Sequence, residues 1–137
     1  MNAGGVDKAC KSDGQMSDFR VQISDGIMLL MNKDVSSLAI YQRALKLLKP
    51  IYKLAGLLPK EEFRLKSQLC DSAKAISAHI AEGFAKKDSQ NEFKRFLLMA
   101  LGSSDETITH LRQIKLLGFP NIKGETCDAL IRNYKIE

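Results

Sequence analysis

Apolar residues recur every three or four positions along four segments of this chain, which is the spacing of one face of an α-helix. The alternation of apolar and polar residues that marks a β-strand does not occur at useful length. The four segments cover residues 37–55, 60–84, 89–117 and 124–134. Because short loops join the segments, neighbouring helices are expected to pack antiparallel. The pattern predicts an all-α fold, an antiparallel up-down four-helix bundle with a short fourth helix.

The first predicted helix carries one apolar stripe and one residue that opposes helix formation. The stripe consists of Tyr41, Leu45, Leu48, Tyr52 and Ala55. Ser36 and Ser37 are candidate N-caps, because a hydroxyl there accepts a hydrogen bond from the first turn. Pro50 lacks an amide hydrogen and crowds the preceding turn, so it predicts a kink or a split. Gly56 is expected to end the helix.

The second and third predicted helices are longer and supply most of the expected core. The second contributes Leu65, Leu69, Ala73, Ile76, Ile80 and Phe84, and the third Phe93, Phe96, Leu97, Ala100, Leu101, Ile108, Leu111 and Ile114. Ser89 and Glu92 have the spacing of a capping box at the start of the third helix. Gly83 predicts a bend or stop late in the second helix. Gly102 predicts a close helix crossing in the third, since it costs about 1 kcal/mol against alanine in mid-helix.

The fourth predicted helix is barely three turns long and leaves part of the other three uncovered. Its apolar side consists of Cys127, Leu130, Ile131 and Tyr134. Burial of the uncovered surface against another copy of the chain is the plain solution. Self-association is therefore part of the fold prediction.

Residues 1–36 are predicted to be an N-terminal extension, separate from a bundle domain of residues 37–137. Residues 1–16 are rich in Gly, Ser, Asp and Lys and lack an apolar period, so a poorly ordered tail is expected. Residues 27–31 (IMLLM) form an apolar patch that needs a cover, which predicts a short helix docked on the bundle or on a neighbouring subunit. The alternative is that Met31 is near the natural start and the residues before it are incidental. No apolar run has the length that a membrane span needs.

Composition adds a charge signal and excludes several kinds of site. The net charge is +5, and residues 38–137 hold 17 basic against 11 acidic groups. The three cysteines are odd in number and widely spaced, so a reducing cytoplasm is expected rather than a disulfide framework. The two histidines lie far apart in sequence, which argues against a metal site. No cofactor and no small-molecule substrate are expected.

No constellation of residues predicts catalysis, so the chain is expected not to be an enzyme. A catalytic Glu82 would need a partner group, for which His79 and Glu106 are the candidates. The favoured interpretation is a helix-end carboxylate that bonds a backbone amide or a lysine. Residues 102–105 (GSSD) lack the G-x-S-x-G elbow and its preceding strand. Cys70 is expected to be a small core residue rather than a reactive thiol.

Basic residues are the only functional signal internal to the sequence. The candidate nucleic-acid contacts are Arg43, Lys46, Lys49, Lys53, Lys86, Lys87, Lys94 and Arg95. No acidic residue occurs between Ser36 and Pro59. Lys46, Lys49 and Lys53 fall within about 60° of helix arc, beside the apolar stripe. Such groups bind phosphates without reading bases, and no stacking aromatic is expected beside them. The alternative is a solvated face that keeps the protein soluble.

Three parts of the sequence carry a family resemblance through their order and spacing. They are residues 39–45 (AIYQRAL), residues 67–69 (SQL) with 80–84 (IAEGF), and residues 92–97 (EFKRFL) with 100–103 (ALGS). Together they resemble the four-helix-bundle proteins encoded in intervening sequences of bacterial large-subunit ribosomal RNA genes. That family also includes the accessory protein of diversity-generating retroelements. The resemblance covers about residues 38–119.

The resemblance implies a non-catalytic, ring-like homo-oligomer, typically a pentamer, that associates through basic surfaces with RNA or with an RNA-bound protein. The chain departs from the family pattern where Ser77 replaces a proline and His79 an asparagine. Cys70 and Asp71 stand where an arginine pair is common. The first functional hypothesis is contact with ribosomal or other structured RNA through the basic helix faces. The alternative is a protein-interaction scaffold with no nucleic-acid role, which the missing arginine pair and the apolar residues 27–31 favour.

Overall fold

The computed structural model describes residues 34–135, which form α-helices joined by turns. Two 3-10 turns, Val35–Ser37 and Lys60–Glu62, accompany the helices α1 (Ala39–Ala55), α2 (Phe63–Ala85), α3 (Gln90–Leu117) and α4 (Gly124–Tyr134). Each helix packs on the next along the chain, and α1 also meets α4. No β-strand occurs in this region. The predicted antiparallel four-helix bundle with a short fourth helix is confirmed.

The predicted N-terminal extension lies almost wholly outside the described residues. The tail of residues 1–16 and the apolar residues 27–31 fall in that part of the chain, so both stay predictions. The same holds for the proposed domain boundary after residue 36. Among the described residues, no helix combines the length and the hydropathy that crossing a membrane requires.

The start of α1 differs from the prediction that a serine caps it. The N-cap is Leu38, which makes no side-chain cap bond. The chain enters the helix through a 3-10 turn, in which the Leu38 amide donates to the Val35 carbonyl at 3.0 Å. The side chain of Gln42 reaches back from the first turn and donates to the Ser36 carbonyl at 2.7 Å. Backbone and glutamine groups therefore organise this helix end.

The core-facing side of α1 is rotated from the predicted stripe. Leu45 and Tyr52 are 39% and 44% exposed, whereas the side that faces the core is Ala44, Ile51, Leu54 and Ala55. Tyr41 and Leu48 are half-buried. The difference arises because apolar residues cover more than one face of α1, so periodicity alone does not select the face that packs.

Pro50 does not split α1, which runs as one helix from Ala39 to Ala55. An interior proline costs about 3 kcal/mol in a free helix. The residues that follow it, Ile51 and Leu54, are 0% and 2% exposed. We attribute the continuity of the helix to this burial, since tertiary packing supplies most helical stability in proteins.

The close helix approach occurs at Gly83, not at Gly102. A Cβ atom built on Gly83 would lie 2.8 Å from Cβ of Phe96 and 3.2 Å from Cδ1 of Phe93. The predicted stop comes slightly later, because α2 continues through Gly83 and ends at Ala85. Gly102 is exposed, and a Cβ there would meet nothing within 4 Å. The predicted close crossing at Gly102 is therefore wrong.

The interface between α2 and α3 contains most of the predicted core and one polar pair. The predicted α2 residues are buried apart from the half-buried Leu65. On α3, Leu101 is 49% exposed, so its predicted place in the core is wrong. The hydroxyl oxygens of Ser72 and Thr107 lie 2.9 Å apart across the interface, where one hydroxyl donates to the other. The remaining hydroxyl proton is within reach of a carbonyl of its own helix, at Leu69 or Ser103. Buried hydroxyls need such partners, which the apolar pattern did not reveal.

The ends of α3 and the whole of α4 agree with the prediction. Ser89 is the N-cap of α3, and its hydroxyl accepts a hydrogen bond from the Glu92 amide at 3.3 Å. The helix ends at Gly118 in the left-handed region, at φ 68°. In α4 all four residues of the predicted apolar side are buried, including Tyr134.

Tyr134 yields a prediction about alkaline stability. Its side chain is 5% exposed, and its hydroxyl has no hydrogen-bond partner among the described residues. Burial raises the pKa of Tyr134 well above its ordinary value. The folded chain thus keeps a proton that the unfolded chain releases above about pH 10, so stability falls as pH rises through that range. We expect Tyr134→Phe to remove this loss and to be neutral or stabilising by about 1 kcal/mol at pH 7.

Urea unfolding between pH 7 and 11 measures this effect, with the exposed Tyr52→Phe as the matched control. Wild type and the Tyr52 variant should lose stability in parallel above pH 10. An equal loss in the Tyr134 variant would contradict the assignment.

Candidate nucleic-acid interface

Three predicted lysines form an outward row on α1. Lys46, Lys49 and Lys53 are exposed, and at 100° per residue they lie opposite the buried side that contains Ile51. The prediction placed these lysines beside the core, but they lie on the opposite side of α1, because the buried face differs from the predicted stripe. Within residues 34–135 none of the three makes an ion pair. Because α1 itself contains no acid, this row presents positive charge that no residue of the described region neutralises.

An exposed aromatic ring lies beside this row. Tyr52, one helical turn after Lys49, is 44% exposed. Lys74 of α2 interacts with the Tyr52 hydroxyl. This interaction is the main reason that the pKa of Lys74 is raised, and the neighbouring Asp71 raises it further. The expectation that no stacking aromatic accompanies the lysines is therefore wrong. Tyr52 was predicted to lie in the core because it belongs to the apolar stripe, although it follows Lys49 by three positions.

A second group of predicted cations surrounds the connection between α2 and α3. The ammonium groups of Lys86 and Lys87 lie 4.8 and 4.3 Å from the ring centres of Phe96 and Phe84. The guanidinium of Arg95 lies 4.6 Å from the Phe96 ring. Such cation–π contacts hold the charges in place. Both rings are about 5% exposed, so they are not open to a base.

Arg95 is the one member of this group that is neutralised within the described residues. Two of its nitrogens bond the two Glu92 carboxylate oxygens at 3.1 and 3.2 Å. This pairing lowers the pKa of Glu92. The capping box is thus only half formed, because Glu92 binds Arg95 while the Ser89 amide donates to the Lys86 carbonyl.

Arg43 and Lys94, the remaining two predicted residues, belong to neither group. They line a common groove between α1 and α3. The Arg43 Nε also donates to the Asn133 carbonyl at the end of α4, at 3.0 Å. The structure therefore divides the eight candidate residues among three places: the α1 row, the α2–α3 connection and this groove.

The candidate catalytic residues lie near groups of their own helices. His79 Nδ1 lies 3.7 Å from the Glu82 carboxylate, which is beyond hydrogen-bond distance. The lysine or backbone amide expected to bond Glu82 does not appear among the described residues. Glu106 lies 3.4 Å from Nε2 of His110. Within the described part of the chain no three metal-binding side chains come together.

Cys70 and Cys127 are both buried within the bundle. Burial raises the pKa of each thiol above its ordinary value. For Cys70, the neighbouring Lys66 and Lys74 oppose this effect without cancelling it. A raised pKa reduces the thiolate fraction at neutral pH, so these are core residues rather than nucleophiles.

The chain was compared with proteins of curated function and with models of protein families. No protein of curated function matches it significantly. The family model described as 23S rRNA-intervening sequence protein matches residues 36–135, which cover the entire bundle. The chain therefore belongs to the family of 23S rRNA-intervening sequence proteins.

Proposed function

We propose that this chain is a non-catalytic, homo-oligomeric, cytoplasmic bundle that contacts ribosomal or other structured RNA. The contact surface, here called the α1 face, consists of Lys46, Lys49, Lys53, Tyr52 and Lys74. The observation that carries the proposal is the row of lysines beside an exposed aromatic ring, with no ion pair to any residue of 34–135. The family supports it, since its description names the 23S rRNA gene product.

The chemistry of the α1 face suits an unpaired RNA segment next to a helix. Lysines neutralise phosphates and release counterions, which supplies affinity without base specificity. An exposed tyrosine adds a platform on which one base stacks. Lys86 and Lys87 form a second, ordered pair of phosphate contacts, because ring contacts hold both ammonium groups.

Self-association is proposed from the apolar surface that the bundle leaves in solvent. Phe63, Leu116 and Leu117 are 65%, 87% and 60% exposed. Large apolar side chains clustered at the surface mark association sites. The pentameric state is carried over from the family resemblance.

A salt titration of binding to a fragment of 23S rRNA tests the proposal. We expect log K to fall linearly with log salt concentration, with a slope of about −2 to −4 for three to five phosphate contacts. Light scattering gives the native mass, expected near five times the 15.3 kDa chain. No binding at low salt, or an affinity that salt does not change, would refute RNA contact. A monomeric mass would refute self-association.

The second candidate function is a protein-interaction scaffold without a nucleic-acid role. The groove between α1 and α3 favours it, because its surface is almost entirely apolar and does not suit a phosphate backbone. RNA contact remains the first proposal, since the scaffold hypothesis leaves the lysine row of α1 unexplained. The two functions use different surfaces and are separable by mutation.

A further inference from the structure

An apolar groove runs between α1 and α3 on the side of the bundle that α4 leaves open. Its volume is about 470 Å³, and Ile76 and Ile80 of α2 are among the residues that line it. Leu98 and Leu101 of α3 also line the groove and are 58% and 49% exposed. A continuous apolar surface of this kind marks an interaction site.

The shape of the groove follows from the place where α4 ends. Ser104 of α3 donates its hydroxyl to the Tyr134 carbonyl at 3.2 Å, and Lys135 then continues in an extended conformation. The fourth helix therefore stops beside the middle of α3. Among residues 34–135, no fourth helix lies beside residues 90–103 of α3, which extend for about 20 Å beyond that point. This stretch has the length of an α-helix of about 14 residues.

The charge of the groove indicates the chemistry of such a helix. Arg43 and Lys94 are its only charged lining residues, and both are cationic. No acidic residue of the described region lines it. Acidic side chains next to the apolar stripe of an incoming helix would therefore meet two cations at the groove.

We propose that this groove docks an amphipathic helix of a partner protein, with acidic residues flanking its apolar stripe. Helix-in-groove recognition uses apolar anchors at every third and fourth position, which the two apolar walls accommodate. A second copy packed groove to groove is a poorer fit, because Arg43 and Lys94 would then meet the same cations of the other copy. The proposal does not depend on RNA contact, because Lys46, Lys49 and Lys53 do not line the groove.

The test uses the full chain and a synthetic peptide as the probe. The labelled peptide is about 14 residues long, with leucines at every third and fourth position and glutamates beside them. Fluorescence anisotropy should give a Kd below about 100 µM. A peptide with lysines in place of the glutamates should bind at least about tenfold more weakly.

The groove variant is Leu98→Asp with Leu101→Asp, which changes two partly exposed residues. The matched control is Leu57→Asp with Met99→Asp, two exposed apolar residues outside the groove. The groove variant should weaken peptide binding by at least about tenfold, since buried apolar anchors dominate such interfaces. The control pair should bind as wild type does. Lys94→Glu should weaken binding more than Arg112→Glu, because only Lys94 lines the groove.

Three results would overturn the proposal. The first is no binding of the acidic peptide. That result would mean that another copy or other residues of the chain cover the groove. The second is binding that the groove variant does not change. The third is a smaller native mass for the groove variant but not for the control, which would assign the groove to self-association. Both aspartate pairs add the same charge outside the α1 face, so they should change RNA affinity equally. A failure of peptide docking is therefore distinguishable from a failure of RNA contact.

Discussion

Gly83→Ala is expected to lower the free energy of unfolding by about 1–3 kcal/mol, because the added methyl group overpacks the α2–α3 interface. The new Cβ would lie 2.8 Å from Cβ of Phe96 and 3.3 Å from the Phe93 carbonyl oxygen. Neither atom is the free end of a flexible chain. Phe96 is 6% exposed, so its ring has little room to move away. The helices would have to separate locally, and that separation weakens the packing of the apolar residues around them.

Gly102→Ala is the matched control, with an expected change of opposite sign. It makes the same substitution inside a helix, at a position where the new methyl group meets nothing within 4 Å. Alanine there should stabilise the chain by roughly 1 kcal/mol, through helix propensity alone. The intrinsic propensity gain is about the same at both sites, so the difference between the variants isolates the contact at Gly83.

Urea denaturation followed by circular dichroism measures both variants. The midpoint should move down for Gly83→Ala and up for Gly102→Ala, with little change in the slope of the transition. An equal increase in both midpoints would show that α2 and α3 do not approach as closely at Gly83 as the structure places them.

The triple variant Lys46→Glu, Lys49→Glu and Lys53→Glu is expected to weaken RNA binding by more than about 100-fold at moderate salt. It should also reduce the magnitude of the salt slope by about 2–3, since three phosphate contacts are lost. All three side chains are exposed on the side of α1 that faces away from the core. The fold should therefore remain intact, which circular dichroism and native mass will show.

A second triple variant, with Arg112, Lys123 and Arg132 changed to Glu, controls for net charge. All three residues are exposed, and none makes an ion pair among the described residues. The overall charge changes by the same amount, so any loss of long-range attraction is shared. Similar losses in both variants would mean that RNA responds to net charge rather than to the α1 face.

The helix limits could be predicted well because they depend on local chemistry. Ser89 caps α3 through its own side chain, and Gly118 ends α3 because it adopts a left-handed conformation. The bounds of α4, Gly124 and Tyr134, match those predicted. The starts of α1 and α2 were the exceptions, since a 3-10 turn precedes each of them and no side chain caps either helix.

The candidate site was predicted as a set of residues but not as a surface. The eight cations were visible in the sequence, whereas their division among three places was not. Tyr52 was assigned to the core because its spacing from Leu45, Leu48 and Ala55 fits an apolar stripe. Its exposure depends on which side of α1 packs against α2, and that choice depends on residues distant in sequence.

The sequence by itself determined the four helices, their order and the shortness of the fourth, because caps, helix-ending glycines and apolar periodicity act over one or two turns. The tertiary structure alone decided the rotation of α1, the crossing at Gly83 and the groove beyond Tyr134. Those features depend on how close two helix surfaces can come. At Gly83 the missing side chain lets Phe96 approach, whereas at Gly102 there is no neighbour. A glycine inside a predicted helix therefore marks a close crossing at one position and not at the other. Local periodicity does not specify which residues of a neighbouring helix lie opposite each glycine.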